Sequence, residues 1–195
     1  RTSQRVPEWK NDLYMWNAEV QRSDSSYAKA SLAHILYNEG HYEMALKYYR
    51  DAFDDDVPYL DGCTIYLSLI LKNRPPKMVI NEYSWLRKIG CEKEGTLDGI
   101  LLLALVATHQ FTLAEDLSNN MQIDRSRRSD IARSVLAIRR NDWSVACEAQ
   151  QDWSNPDQFS SQLQIMLERI EWMENTVPFP DGFLRSKCRK PKQSQ

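Results

Sequence analysis

Three histidines, a run of aspartates, a group of arginines and four cysteines are the residues of this 195-residue chain whose types could support site chemistry. His34 and His41 stand seven apart near the end of one helix, but zinc needs three or four ligands and no cysteine or further histidine stands at ligand spacing. They read as polar residues of a surface or groove, and His109 as a turn residue. Asp54-Asp55-Asp56 would suit a hard cation, yet no second acidic cluster is spaced to complete an oxygen shell, so it reads as a solvated loop. There is no Gly-x-Gly-x-x-Gly, Walker loop, His-Glu-x-x-His or Gly-x-Ser-x-Gly. The expectation is therefore a chain that is not an enzyme, with no cofactor and no metal.

The arginines form a second candidate. Arg125, Arg127, Arg128, Arg133, Arg139 and Arg140 cluster without a lysine among them, and a guanidinium fork suits phosphate or carboxylate better than an ammonium does. Arg133 and Arg140 share a face opposite Ile131 and Val135. That face would serve a phosphate or an acidic partner; the plainer reading is a solvated face with Asp130 and Asp142 as local partners. The tail Arg185-Ser-Lys-Cys-Arg-Lys-Pro-Lys is either a basic contact tract or a solubilising end. Net charge is −2, so no global basic field argues for nucleic acid.

Cys63, Cys91, Cys147 and Cys188 lie far apart without a Cys-x-x-Cys pair. Read as free thiols, they suit a reducing intracellular compartment, the cytoplasm first, then the nucleus or mitochondrial matrix. The chain starts at Arg1, which reads as a fragment or processed form from which a targeting segment could be missing. The longest apolar run, Ile100–Ala107, is too short to span a bilayer.

These residues must be positioned by helices. Hydrophobic residues make up 42% of the chain and charged ones 27%, a globular balance, and glycines number only six. Residues 40 to 53 place Tyr42, Ala45, Tyr49 and Ala52 along one helical stripe that starts after a glycine turn. The turn Gly40-His41-Tyr42 finds counterparts at Pro75-Pro76-Lys77, His109-Gln110-Phe111 and Asn141-Asp142-Trp143, at steps of 35, 34 and 32 residues. Ala45, Ala114 and Ala146 follow three residues after Tyr42, Phe111 and Trp143, with Ile80 in the second unit. Upstream, Ala33, Ser68, Leu102 and Ser134 correspond, as do Leu36, Leu71, Leu105 and Ala137. The spacing predicts helices over 26–39 and 42–54, 60–73 and 76–89, 96–108 and 111–121, and 128–140 and 143–152, with Thr96 as an N-cap. Ala45 and Ala114 are expected to be buried at helix crossings. Tyr42, Trp143 and the paired Tyr48-Tyr49 are expected to pack, and Trp85 to be either packed or an exposed contact.

The first of these units resembles a tetratricopeptide repeat, whose motif runs Trp-x2-Leu-Gly-x2-Tyr, then Ala, Phe, Ala and Pro over about 34 residues. Leu32-Ala33, Leu36, Gly40, Tyr42, Ala45, Tyr49, Ala52 and Pro58 carry the likeness; the other units match in part, with Arg87 at the second alanine and Arg133 at the leucine. The stretch Leu86-Arg-Lys-Ile-Gly-Cys-Glu-Lys-Glu94 looks like the connector of the pentatricopeptide repeats, and Gly95–Ala114 has that repeat's length. The first base-reading position there would be Gly99, which has no side chain to read with.

The resemblance implies an all-α fold, a short right-handed α-solenoid of about four helix-turn-helix repeats with flanking terminal helices. Residues 1–25 would form the N-terminal flanking helix, with Pro7 at its start and Trp9, Leu13, Trp16 and Val20 as its stripe. Residues 26–152 would hold four hairpins. Residues 153–175 would form a capping helix begun by Asn155-Pro156, with Phe159, Leu163, Met166, Ile170 and Met173 as its apolar face, and 176–195 an extended basic tail. The groove of first helices would be lined by Tyr27, His34, Tyr37, Asn38, Ile65, Leu69, Lys72, Asn73, Leu103 and Val106, suited to an extended peptide or a helix. A clamp for a terminal carboxylate is missing, because Ala30, His34 and Tyr66 stand at its positions, so a chaperone-binding role is not expected. The function expected is a protein-interaction scaffold or adaptor, taking a peptide, a helix or a subunit of a larger complex. The alternative is an RNA-binding protein of mitochondrial or nuclear RNA metabolism. No membrane span is expected.

Overall fold

The eight segments expected to pair as hairpins fold as helices whose ends lie within one residue of those expected. A computed structural model describes residues 11–55, 60–91, 95–120, 127–140 and 142–152, together with 155, 158, 162, 163, 165 and 188. At 55, 60, 61, 95, 96 and 127 it describes the backbone alone. In chain order come α1 (Asp12–Ser23), α2 (Ser26–Asn38), α3 (Tyr42–Asp55), α4 (Leu60–Asn73), α5 (Pro76–Lys88), α6 (Gly95–Ala107), α7 (Phe111–Asn120), α8 (Arg127–Arg139) and α9 (Ser144–Asp152). No strand occurs among the described residues, so the fold is all-α. Two compact units result, Arg1–Leu97 and Asp98–Gln195.

In the first unit α1 packs on α2, α2 on α3, α3 on α4 and α4 on α5. Helix α1 starts at Asp12 because Asn11, in extended conformation, accepts the Leu13 N–H at 2.8 Å and so caps it. Pro7 and Trp9 lie outside the described residues. Helix α2 buries Ala28, Leu32, Ala33 and Leu36, and α3 buries Ala45, Tyr49, Ala52 and Phe53. Gly62, inside α4, is there for closeness: a Cβ at that position would stand 3.3 Å from the rings of both Tyr49 and Phe53. One residue on, Cys63 is disulfide-bonded to Cys91, just past α5, which ties the start of α4 to the end of its partner.

In the second unit α7 packs on α8 and α8 on α9. Leu102 to Val106 are all buried, so α6 is surrounded on every side. Thr96 falls inside α6, which begins at Gly95, and so is not its cap. Cys147 of α9 is bonded to Cys188. Asn155 Oδ1 accepts the Gln158 N–H at 3.1 Å, the cap expected there. Residues 158, 162, 163 and 165 are helical and Leu163 is buried. Phe159, Met166, Ile170 and Met173 are outside the described residues, as is the tail apart from Cys188.

The four cysteines correct one expectation. None is free, so the step from scattered thiols to a reducing compartment loses its basis. Among the described residues no helix is long and apolar enough to cross a membrane.

Three helix ends close alike. His41 N–H reaches back to the Leu36 carbonyl at 2.8 Å, Gln110 to Leu105 at 2.9 Å and Asp142 to Ala137 at 2.9 Å. This six-residue closure needs a left-handed residue before its last donor, supplied by Gly40 (φ 83°) and, with a side chain, by His109 (φ 59°). Asp142 then turns its carboxylate onto Ser144, accepting from its N–H at 3.0 Å and its hydroxyl at 2.6 Å. Those bonds, with the charge of Arg140, hold the Asp142 carboxyl below the usual range.

The second hairpin replaces that turn by Pro75-Pro76, and here the expected register is one residue out. Pro75 takes the place of His41, so Val79, Tyr83 and Leu86 follow at the spacing of Ala45, Tyr49 and Ala52, and all three are buried. Leu67 and Ile70, also buried, stand where Ser68 and Leu71 were expected, and Val79 where Ile80 was. The one-residue slip turns a helix by about 100°, enough to move a side chain off the buried face.

Two outcomes check these points. Ala45 and Ala114 are fully buried, so Ala45→Leu overpacks its hairpin and destabilises the chain by about 1–3 kcal/mol. In the second hairpin Val79→Ala lowers the melting temperature more than Ile80→Ala does, although isoleucine loses more atoms; the reverse order restores the first register. Separately, unfolded but unreduced protein gives no free thiol with a thiol reagent, and four thiols would undo the disulfides.

Candidate partner-binding site

Small residues at helix crossings leave room where large ones do not meet. Ala30 of α2 and Gly62 of α4 are among the residues lining a cavity of about 360 Å³ where α1, α2, α3 and α4 come together. Its walls are Trp16 of α1 and Tyr27 and His34 of α2, Tyr49 of α3 also lines it, and Asp12 of α1 adds a carboxylate. Trp16 and Tyr27 stand edge to face, ring centroids 5.5 Å apart. The Tyr49 hydroxyl lies 3.4 Å from His34 Nδ1. Tyr49 is buried, whereas Tyr27 is 63% exposed, so the cavity has a fixed floor and an open aromatic wall.

Along the same helix the aromatic row continues. Tyr37 lies 6.4 Å from the His34 ring and 6.1 Å from that of Tyr42. Lys72 sets its ammonium 4.8 Å from the Tyr42 ring centroid. Tyr27, His34, Tyr37, Asn38, Lys72 and Asn73 are exposed, as a groove residue must be, and Ile65 is half-buried. Leu69, Leu103 and Val106 are corrections: all three are buried and belong to the core of their units. Asn73 turns its amide back onto the Leu69 carbonyl at 2.9 Å.

A second cluster was not anticipated. Arg50 of α3 lays its guanidinium 3.6 Å from the Trp85 ring centroid and pairs with Glu82 at 2.5 Å, and with Asp54 at 3.7 Å. Tyr66 of α4 donates to the same Glu82 oxygen at 3.0 Å. Trp85 is thus half-buried and covered by a cation. Partial burial works against the charged form of Arg50, but its hydrogen bond with Tyr66 and the charges of Glu82 and Asp54 outweigh this and raise its pKa. Burial, then the Glu82 carboxylate, push the Tyr66 phenol up to about 12, against the pull of Arg50. Tyr66, a clamp position by the resemblance, is committed to this cluster.

The arginine face is partly engaged. Arg139 places its guanidinium 4.0 Å from the centroid of the Phe111 ring, and Arg140 stands 3.9 Å from Glu115. Arg128 and Arg133 are half-buried on α8; Arg125 and the side chain of Arg127 are outside the described residues. Asp54 pairs with Arg50, Asp55 is described in its backbone alone, and Asp56 lies outside the described residues. His41 is exposed, 4.0 Å from Glu39, and His109 sits edge-on to Phe111. Among the described residues no group of three or more His, Cys, Asp or Glu is placed to hold a metal ion. Gly99 is buried.

No family model, no characterised protein and no solved structure matches this chain.

Tyr66 gives the cluster a signature in alkali. Its protonated form is favoured by folding, so the stability it carries is complete below pH 10, the ordinary phenol value, and is lost as pH rises through about 12. In an ultraviolet titration Tyr66 therefore ionises later than the exposed tyrosines, and Tyr66→Phe removes one tyrosine from the late part of the curve. A single common transition for all tyrosines would contradict the cluster.

Proposed function

We propose that this chain is a non-enzymatic protein-interaction module built of tetratricopeptide-like helical hairpins, which holds a peptide or helix of a larger assembly against α2. The observation that carries the reading is the row Tyr27, His34, Tyr37, Tyr42 beside an open aromatic cavity. Aromatic side chains offer large contact areas with few rotors to immobilise, which is why they are enriched where proteins meet. Support for the hairpins as repeats comes from the three turns of one geometry and from buried Ala45, Val79, Ala114 and Ala146 at equivalent places. The RNA alternative, through Arg133, Arg140 and their neighbours, is less favoured because Arg139 and Arg140 already have an aromatic and an acidic neighbour.

Selection of a displayed peptide library on the intact chain tests this. Peptides recovered at about 150 mM salt lose binding to Tyr27→Asp and Tyr37→Asp, both at exposed positions that leave the fold intact. They keep binding to Arg133→Glu with Arg140→Glu. Sub-micromolar single-stranded RNA binding, steeply salt-dependent and lost only in the arginine variant, would replace this reading by the other.

A further inference from the structure

The cavity between α1, α2 and α3 has a definite chemistry. Its lining is rich in aromatic rings, whose π-faces carry partial negative charge and attract cations. It includes the Asp12 carboxylate, while none of its described lining residues is a lysine or an arginine. An anion would find hydroxyl and ring N–H donors there but no lysine or arginine to balance its charge, and the Asp12 carboxylate works against it. A bare ammonium is strongly hydrated and gives up that water only where all three of its N–H groups find new acceptors. A methylated ammonium needs fewer or none, and its methyl groups turn the same rings into apolar contacts. The volume, about 360 Å³, admits such a head group together with part of an alkyl stem.

We propose that this cavity receives a methylated lysine side chain of a partner peptide, enclosed by the rings of Trp16, Tyr27 and Tyr49 with the Asp12 carboxylate supplying the counter-charge. The proposal rests on the reading of α2 as the partner-binding face and specifies one residue of that partner. Trp16 and Tyr27, edge to face at 5.5 Å, form the corner that receives the head group. Tyr49, buried and held beside His34, is the fixed part of the site. The peptide main chain leaves across the exposed ring of Tyr37 and the half-buried ring of Tyr42 beside it.

The probes are an N-acetyl, C-amide derivative of trimethyllysine, its neutral isostere with a tert-butyl carbon in place of the nitrogen, and tetramethylammonium. The intact chain is titrated with each while indole N–H resonances are followed by NMR, that of Trp16 being assigned by its loss in Trp16→Phe. The expected result is saturable movement of the Trp16 resonance with the trimethyllysine derivative and about tenfold weaker binding of the neutral isostere. Tyr27→Ala and Asp12→Asn each weaken the cation, Asp12→Asn leaves the isostere unchanged, and circular dichroism confirms that both variants keep their helices.

Equal binding of cation and isostere would overturn the proposal in favour of a merely apolar pocket. No movement of the Trp16 resonance at millimolar ligand would overturn it outright. Tetramethylammonium binding as tightly as the lysine derivative would assign the site to a small free ammonium ion instead of a peptide. If library peptides still depend on Tyr27 and Tyr37 while all three probes fail, the interaction reading stands and this inference alone falls.

Discussion

Two helices joined by a short turn can lie against each other only if the turn satisfies the last carbonyls of the first and a small side chain sits where the second crosses it. In this chain both conditions are met by short-range chemistry. The carbonyls of Leu36, Leu105 and Ala137 are taken by N–H groups five residues on. Ala45, Ala114 and Ala146, four residues beyond those donors, are fully buried. A larger residue at such a crossing pushes the axes apart, and everything that depends on their closeness shifts with it, including the rings of Tyr49 and Phe53 against Gly62. Pro75-Pro76 reaches the same end differently: proline cannot continue the first helix and is preorganised to start the second.

On this frame the first unit carries more than apolar packing. Arg50, Glu82, Tyr66 and Trp85 come from three successive helices and meet at one point. Removing a charge from water is costly, and the pairing offsets that cost only because each partner is satisfied: the guanidinium by a ring face and two carboxylates, the shared carboxylate oxygen by two donors. Its contribution is to geometry more than to energy, since it fits one arrangement of α3, α4 and α5. The Cys63–Cys91 bond constrains the same pair, α4 and α5, from the other side of the sequence.

The cavity that we connect with function follows from the same rule of small residues. It is lined by rings from α1, α2 and α3, with the small residues Ala30 and Gly62 among them. Trp16 and Tyr27 are neither core nor isolated surface residues; they are partly exposed apolar groups meeting at an open edge. Such a site has a rigid side, which contributes preorganisation, and an adaptable one, which Tyr27 provides.

Helix boundaries, the turns at Gly40 and His109, the caps at Asn11 and Asn155 and the burial of Ala45 and Ala114 are local matters, decided within a few residues by periodicity and hydrogen-bond arithmetic. The chain carries them openly, apart from Asn11, whose capping chemistry was masked by the earlier proline. Other features needed the assembled helices. A register one residue out at Pro75 exchanges Val79 for Ile80, because only the observed turn shows which proline replaces His41. Leu69, Leu103 and Val106 look identical in sequence to groove residues, since an apolar position does not say whether another helix covers it. The meeting of Trp16 with Tyr27, of Arg50 with Trp85, and of Cys63 with Cys91 joins residues 11, 35 and 28 positions apart. Spacing along one helix says nothing about such pairs; they are set by how helices cross, which is decided by the sum of many buried contacts.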